Sequence, residues 1–206
     1  MKTEISASVL ITPHRQASTL SPNIKQRKGF SLIEVLVLVG LIAIGATVAL
    51  VQMRSSIMVL DADKASNTVM NQLKYARQIA VDQRKDVRIE FMGTNRIKVT
   101  RTDTGGANPT VMSDVTLPTG FVFGLPSGPP DTPDGYGNAT PVFFNAEATG
   151  SFLGDGTFVS DAGLLVNGTV FTIGGNNGTA RAITLSGASG RLRQYYLQGN
   201  TWILRG

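Results

Sequence analysis

The 206-residue chain has no cysteine, so disulfides, thiol nucleophiles and cysteine metal sites are excluded. That absence suits a domain that needs no covalent staple, and it does not identify a compartment. Histidine is nearly absent too: the only one is His14, inside a polar, basic N-terminal stretch. Proline is missing from Gly29 to Asn108, which leaves room for one very long uninterrupted helix. Phe30 to Val51 carries a single formal charge, Glu34. No Asp or Glu follows Asp161.

The net charge of +5 invites a nucleic-acid reading, but its distribution argues otherwise. Residues 1–29 hold five basic residues and one acid, a balance of +4, which leaves +1 for the other 177 residues. A Lys- and Arg-rich segment ahead of an apolar run reads as the positive-inside signal that keeps this end in the cytoplasm. The run itself, Phe30–Val51, is 22 residues long and as a helix spans about 33 Å, enough for a bilayer core. A removable secretory signal has a shorter apolar core that ends in small residues. Here Gly40, Ala43, Gly45 and Ala46 are scattered inside the run, so it reads as retained. A lone glutamate in such a helix is costly and calls for a function.

Beyond Val51 the pattern becomes amphipathic. Ala62, Ala65, Val69, Leu73, Ala76 and Ala80 recur at spacings of three and four with charges between them, the stripe of a helix packed on one face. One helix from about Phe30 to about Lys85 is predicted. From Val87 the period changes to two. Strands are predicted at Val87–Phe91, Ile97–Val99, Val111–Leu117, Phe121–Phe123, Val142–Phe144, Thr169–Ile173, Arg181–Leu185, Arg191–Tyr196 and Thr201–Leu204. Gly105–Pro109 reads as a loop, and Gly199-Asn200 as a hairpin turn. Gly124–Pro141, with five prolines and four glycines, reads as an exposed loop. Its Asp131, Asp134 and Asn138 match no calcium-loop spacing, and turn formation accounts for them. The Gly-rich loops lie between strands, not in a strand-loop-helix setting, so nucleotide binding is rejected. No cofactor or metal is expected.

Gly29-Phe30-Ser31-Leu32-Ile33-Glu34, after Lys25, Arg27 and Lys28, resembles the processing site of type IV pilins and pseudopilins. The segment from Ile183 through Gly190-Arg191-Leu192-Arg193 to a Trp-bearing strand looks like the C-terminal signature of the GspH/FimT family. By that resemblance a prepilin peptidase cuts after Gly29, Phe30 becomes an N-methylated N-terminus, and Glu34 neutralises the terminal amine of a neighbouring subunit. Loss of the leader would remove His14 and with it Ser-His-Asp catalysis, so no enzyme is expected. The many relatives with a proline in the first half of the helix differ from this chain, and its 29-residue leader is long for the family.

The implied fold is α+β, a type IV pilin-like lollipop whose long N-terminal helix packs on a C-terminal antiparallel β-sandwich. Its parts are a leader (1–29), a transmembrane half-helix (30–51), an amphipathic half-helix (52–86) and a periplasmic β-rich domain (87–206). Two functions follow from the resemblance. One is a minor pseudopilin of type II secretion, anchored by a single pass in the bacterial inner membrane and assembling with other pseudopilins on an inner-membrane platform. The other is a FimT-like minor pilin that binds DNA during uptake. FimT-branch proteins contact DNA through Gly-Arg-x-Arg, which maps onto Gly190, Arg191 and Arg193. Arg181 and Arg205 fall in the same acid-free tail, and residues 162–206 carry +4. The opposing view is that these arginines guard strand edges.

Overall fold

The computed structural model describes residues 29–102, 109–128, 130–145 and 147–205, without the side chains of residues 48–55. The predicted leader (apart from Gly29) and most of the Gly105–Pro109 loop lie outside the described residues. One helix, α1, spans Leu32–Gln83. Two compact units divide the chain, one ending at Gly45 and the other beginning at Ala46.

In the first unit, Ser31 starts the helix: its carbonyl accepts from the amides of Glu34 and Val35 at 3.0 and 3.2 Å. Every described residue from Gly29 to Thr47 is exposed, the apolar ones included. Among the described residues no helix is long and apolar enough to cross a membrane. The predicted span of 30–51 runs past Thr47, where side chains are no longer described.

The second unit is built on the predicted stripe. Ala62, Ala65, Val69, Leu73, Ala76 and Ala80 are fully buried in one core. α1 ends in a left-handed residue, Arg84 (φ +50°), and the Lys85 amide closes back on the Ala80 carbonyl at 3.2 Å. That is the Schellman closure with an arginine where glycine is usual.

Eleven strands follow among the described residues: β1 Val87–Met92, β2 Arg96–Arg101, β3 Thr110–Thr116, β4 Val122–Phe123, β5 Val142–Phe143, β6 Thr149–Phe152, β7 Phe158–Val159, β8 Gly168–Ile173, β9 Arg181–Ser186, β10 Arg191–Gln198 and β11 Thr201–Leu204. They form two antiparallel sheets, ordered β3-β2-β1-β6-β7 and β11-β10-β9-β8-β4, with β5 also paired to β8. Val87, Ile89, Ile97 and Val99 from one sheet share the core with Val170, Ile183 and Leu185 from the other, together with the helix stripe. β6 and β7 escape the sequence pattern. Gly150 interrupts β6 because a Cβ there would lie 2.4 Å from the Phe158 ring, so the aromatic takes the volume that a side chain would need.

The Gly124–Pro141 segment corrects the sequence reading. It is not simply exposed, because it lies over the outer face of the second sheet. A second core of Phe171, Ala180, Ala182, Tyr195, Leu197 and Trp202 sits on that face, with Leu125 packed against it. The Trp202 indole donates to the Pro130 carbonyl at 2.8 Å.

Candidate functional site

Two places hold the sequence-selected residues. In the first unit, Glu34 lies in the first turn of α1 and is exposed. It shares a shallow concavity with Phe30, Val37, Leu38 and Leu41. The spacing explains this: residues three, four and seven positions on from Glu34 fall on its own face of the helix. A carboxylate therefore stands beside an uncovered apolar stripe one turn from Phe30. Among the described residues, a Cβ at Gly29 would meet nothing within 4 Å.

In the second unit, strand parity sorts the arginines. Arg193 pairs with Thr184 and Arg191 with Ser186 across β10 and β9, and alternate residues of a strand share a face. Arg191, Arg193 and Tyr195 thus stand on the outer face, beneath the 124–141 segment. Arg181 pairs with Tyr196, on the opposite parity, and faces the helix. Its side chain is 4 % exposed and donates to Asp63 of α1 at 2.8 Å. Arg205 reaches the same carboxylate at 2.5 Å. Of the four arginines grouped as possible DNA contacts, Arg181 is therefore an interior ion pair, and Arg205 shares its partner.

Arg193 is also engaged. Asp134, whose side chain is 7 % exposed, accepts from Arg193, from the Thr184 hydroxyl at 2.6 Å and from the Tyr195 hydroxyl at 2.8 Å. Burial pushes the Asp134 carboxyl up, but the bonds from Thr184, Tyr195 and Arg193 and the guanidinium charge outweigh it and hold the group below its ordinary value. Burial and the bond to Asp134 push the Tyr195 hydroxyl up. The aspartate considered from sequence as a calcium ligand is thus consumed by protein donors. Asp131 likewise accepts from the Thr132 and Gly137 amides, at 2.7 and 3.0 Å, as a turn-forming aspartate does. The sequence carried no signal that Asp134 would meet Arg193, 59 residues away.

Arg191 is exposed, and its side chain makes no hydrogen bond or ion pair among the described residues. It borders a 160 Å³ cavity with Asp134, Tyr136, Thr184 and Arg193. Gly190, ahead of it, has φ +61°, and a Cβ there would lie 2.2 Å from Nε of Arg77 on α1. The glycine of Gly-Arg-x-Arg is needed both for its backbone and for the helix arginine that fills the space.

The family comparison falls on the first of these places. Residues 24–50 match the family model described as the prokaryotic N-terminal methylation motif. The chain carries that motif. The methylation motif covers Gly29, Phe30 and Glu34 together. No curated protein matches the chain. Among solved structures, the type IV minor pilin FimU of Pseudomonas aeruginosa (strain PAO1) aligns with a TM-score of 0.46 at 15 % identity, covering 68 % of this chain and 91 % of that one. FimU in a second crystal form aligns with a TM-score of 0.45 at 16 % identity, covering 68 % and 96 %.

Proposed function

We propose that this chain is a minor subunit of a type IV pilin-like filament, the minor pseudopilin of a type II secretion system. The observation that carries the reading is the methylation motif, with Glu34 one helical turn from Phe30 on the otherwise apolar, exposed start of α1. A prepilin peptidase cuts between Gly29 and Phe30 and the new amine of Phe30 is methylated. The apolar start of α1 resides in the inner membrane, with residues 87–206 in the periplasm. Lateral packing of these helices then places one subunit's terminal amine against the next subunit's Glu34. A charge left alone in an apolar setting is expensive, so pairing favours the assembled state. The filament assembles with other pseudopilins on an inner-membrane platform and helps export folded proteins.

Glu34→Gln removes the charge while keeping the shape. Membrane insertion is expected to persist, and co-purification with filament partners is expected to fall at least tenfold, for the loss of a charge pair worth several kcal/mol. Equal co-purification of wild type and variant would refute the role of Glu34.

A second reading, a minor pilin that binds DNA during uptake, is favoured by one observation: Arg191 stands exposed beside a polar cavity, with no side-chain partner among the described residues. Arg191 then supplies a cation to the ligand, with Arg193 shared between the ligand and Asp134. Arg181, being interior, takes no part.

A further inference from the structure

The cations outside the motif are mostly occupied. Arg88 is bound to Asp161 and Glu90, Arg96 to Asp114, and Lys98 lies 3.9 Å from Glu90, so the outer face of the first sheet neutralises itself. The β9–β10 turn differs. On its helix side lies a second, larger concavity of 520 Å³, bordered by the polar Lys74, Arg77, Gln78, Asp155 and Arg191, by Gly190, and by the apolar Val81 and Leu192. Arg191 borders both this groove and the 160 Å³ cavity on the sheet face. Lys74 is exposed, and its side chain makes no hydrogen bond or ion pair among the described residues.

Arg77 is already committed. It donates from Nε to the Gly156 carbonyl at 3.3 Å and from Nη2 to the Ser189 carbonyl at 3.1 Å, which fixes the turn from which Arg191 projects. Asp155, the one carboxylate bordering the groove among the described residues, accepts from the hydroxyl and amide of Thr157 at 2.6 and 2.9 Å. Among the described residues, Lys74 and Arg191 are thus two cations without a side-chain partner flanking one groove, with Arg77 holding the wall between them. The adjoining cavity adds the hydroxyl residues Tyr136, Thr184, Ser186 and Ser189, beside the Asp134 carboxylate that Arg193, Thr184 and Tyr195 already occupy.

We propose that the helix takes part in DNA binding: Lys74 of α1 and Arg191 contact successive phosphates of one backbone that runs from the sheet face, over Gly190, onto the helix. This rests on the DNA reading above and adds a contact outside the Gly-Arg-x-Arg segment. Cations and hydroxyl donors suit phosphate oxygens, and such contacts carry no base information. The surface is therefore sequence-independent, and each cation contributes to salt dependence through counterion release. Arg77 is a positioning residue.

The test uses the full-length chain in detergent and a fluorescently labelled 30-base-pair duplex of mixed sequence, with anisotropy titrated from low to moderate salt. Wild type, Lys74→Ala, Arg191→Ala and the double variant are compared. The expected result is that each single variant lowers the slope of log K against log salt by about 0.9, and the double variant by about twice that. Equal slopes for wild type and Lys74→Ala, with a reduced slope for Arg191→Ala, would overturn the helix contact and leave the DNA reading standing. Absence of wild-type binding at low salt would overturn both. Loss of affinity in Lys74→Ala for one duplex sequence only would also overturn the proposal, because a phosphate contact weakens every sequence alike.

Discussion

At the scale of single residues, the acidic side chains do most of the organising. Asp63 holds Arg181 inside the fold and Arg205 at its edge. Removing it leaves the Arg181 guanidinium buried without a counter-charge, the situation that makes breaking an interior pair so costly. Asp63→Ala is expected to lower stability by about 3 kcal/mol, read from chemical denaturation. Gly190 makes a similar case from the backbone. Its left-handed φ and the 2.2 Å approach of Arg77 to the position of a Cβ mean that Gly190→Ala strains the backbone and displaces the guanidinium together. A loss of about 1–3 kcal/mol is expected. Arg84 reverses the sign: it occupies a left-handed position that glycine fills without strain. Arg84→Gly is expected to raise stability by about 1 kcal/mol.

At the scale of elements, the segment over the second sheet is held by one carboxylate and reported by one fluorophore. Trp202, the only tryptophan in the chain, donates to Pro130 of that segment, and Asp134 of the same segment gathers three donors from β9 and β10. The Asp134 carboxyl titrates below its unfolded value. Its contribution is therefore complete above the ordinary carboxylate range and is lost as pH falls through the lower, folded value. Tryptophan emission is expected to stay constant down through the ordinary carboxylate range and to shift red only below it. Asp134→Ala is expected to show the shifted emission already at neutral pH. An unshifted spectrum in that variant would mean that the segment is held by its apolar contacts alone.

Much of this architecture was legible from periodicity. The three-and-four spacing of Ala62 through Ala80 marks the buried helix face, and alternation marks β1, β2 and β8–β11, because burial on one face imposes both periods. The misses have specific causes. β6 and β7 were hidden by Gly150, whose missing side chain is filled by Phe158 from further along the chain. The 124–141 segment reads as solvent loop because its prolines and glycines describe local geometry, while its burial comes from Trp202 and Tyr195, which lie more than 60 residues away. Which face Arg181 takes depends on its register opposite Tyr196, and its partner Asp63 lies 118 residues away. Strand alternation relates Arg191 to Arg193 within one strand, but it is silent on parity between strands.

At the scale of the whole molecule, charge and hydropathy assign separate tasks to separate stretches. The basic excess of residues 1–29 precedes the apolar run that carries Glu34, and the later residues nearly balance, with their acids concentrated before residue 162. In the proposed filament subunit, the first segment directs orientation and processing, the second drives assembly, and the folded sheets present the surface that partners meet. In that proposal, assembly depends on one covalent event, cleavage between Gly29 and Phe30. The most direct measurement is intact-mass and N-terminal peptide mass spectrometry of the full-length chain expressed with and without an active prepilin peptidase. A mature chain that begins at N-methylated Phe30 is expected only when the peptidase is active. A chain that keeps residues 1–29 beside the active enzyme, or that begins at any other residue, would contradict the pilin-like assignment.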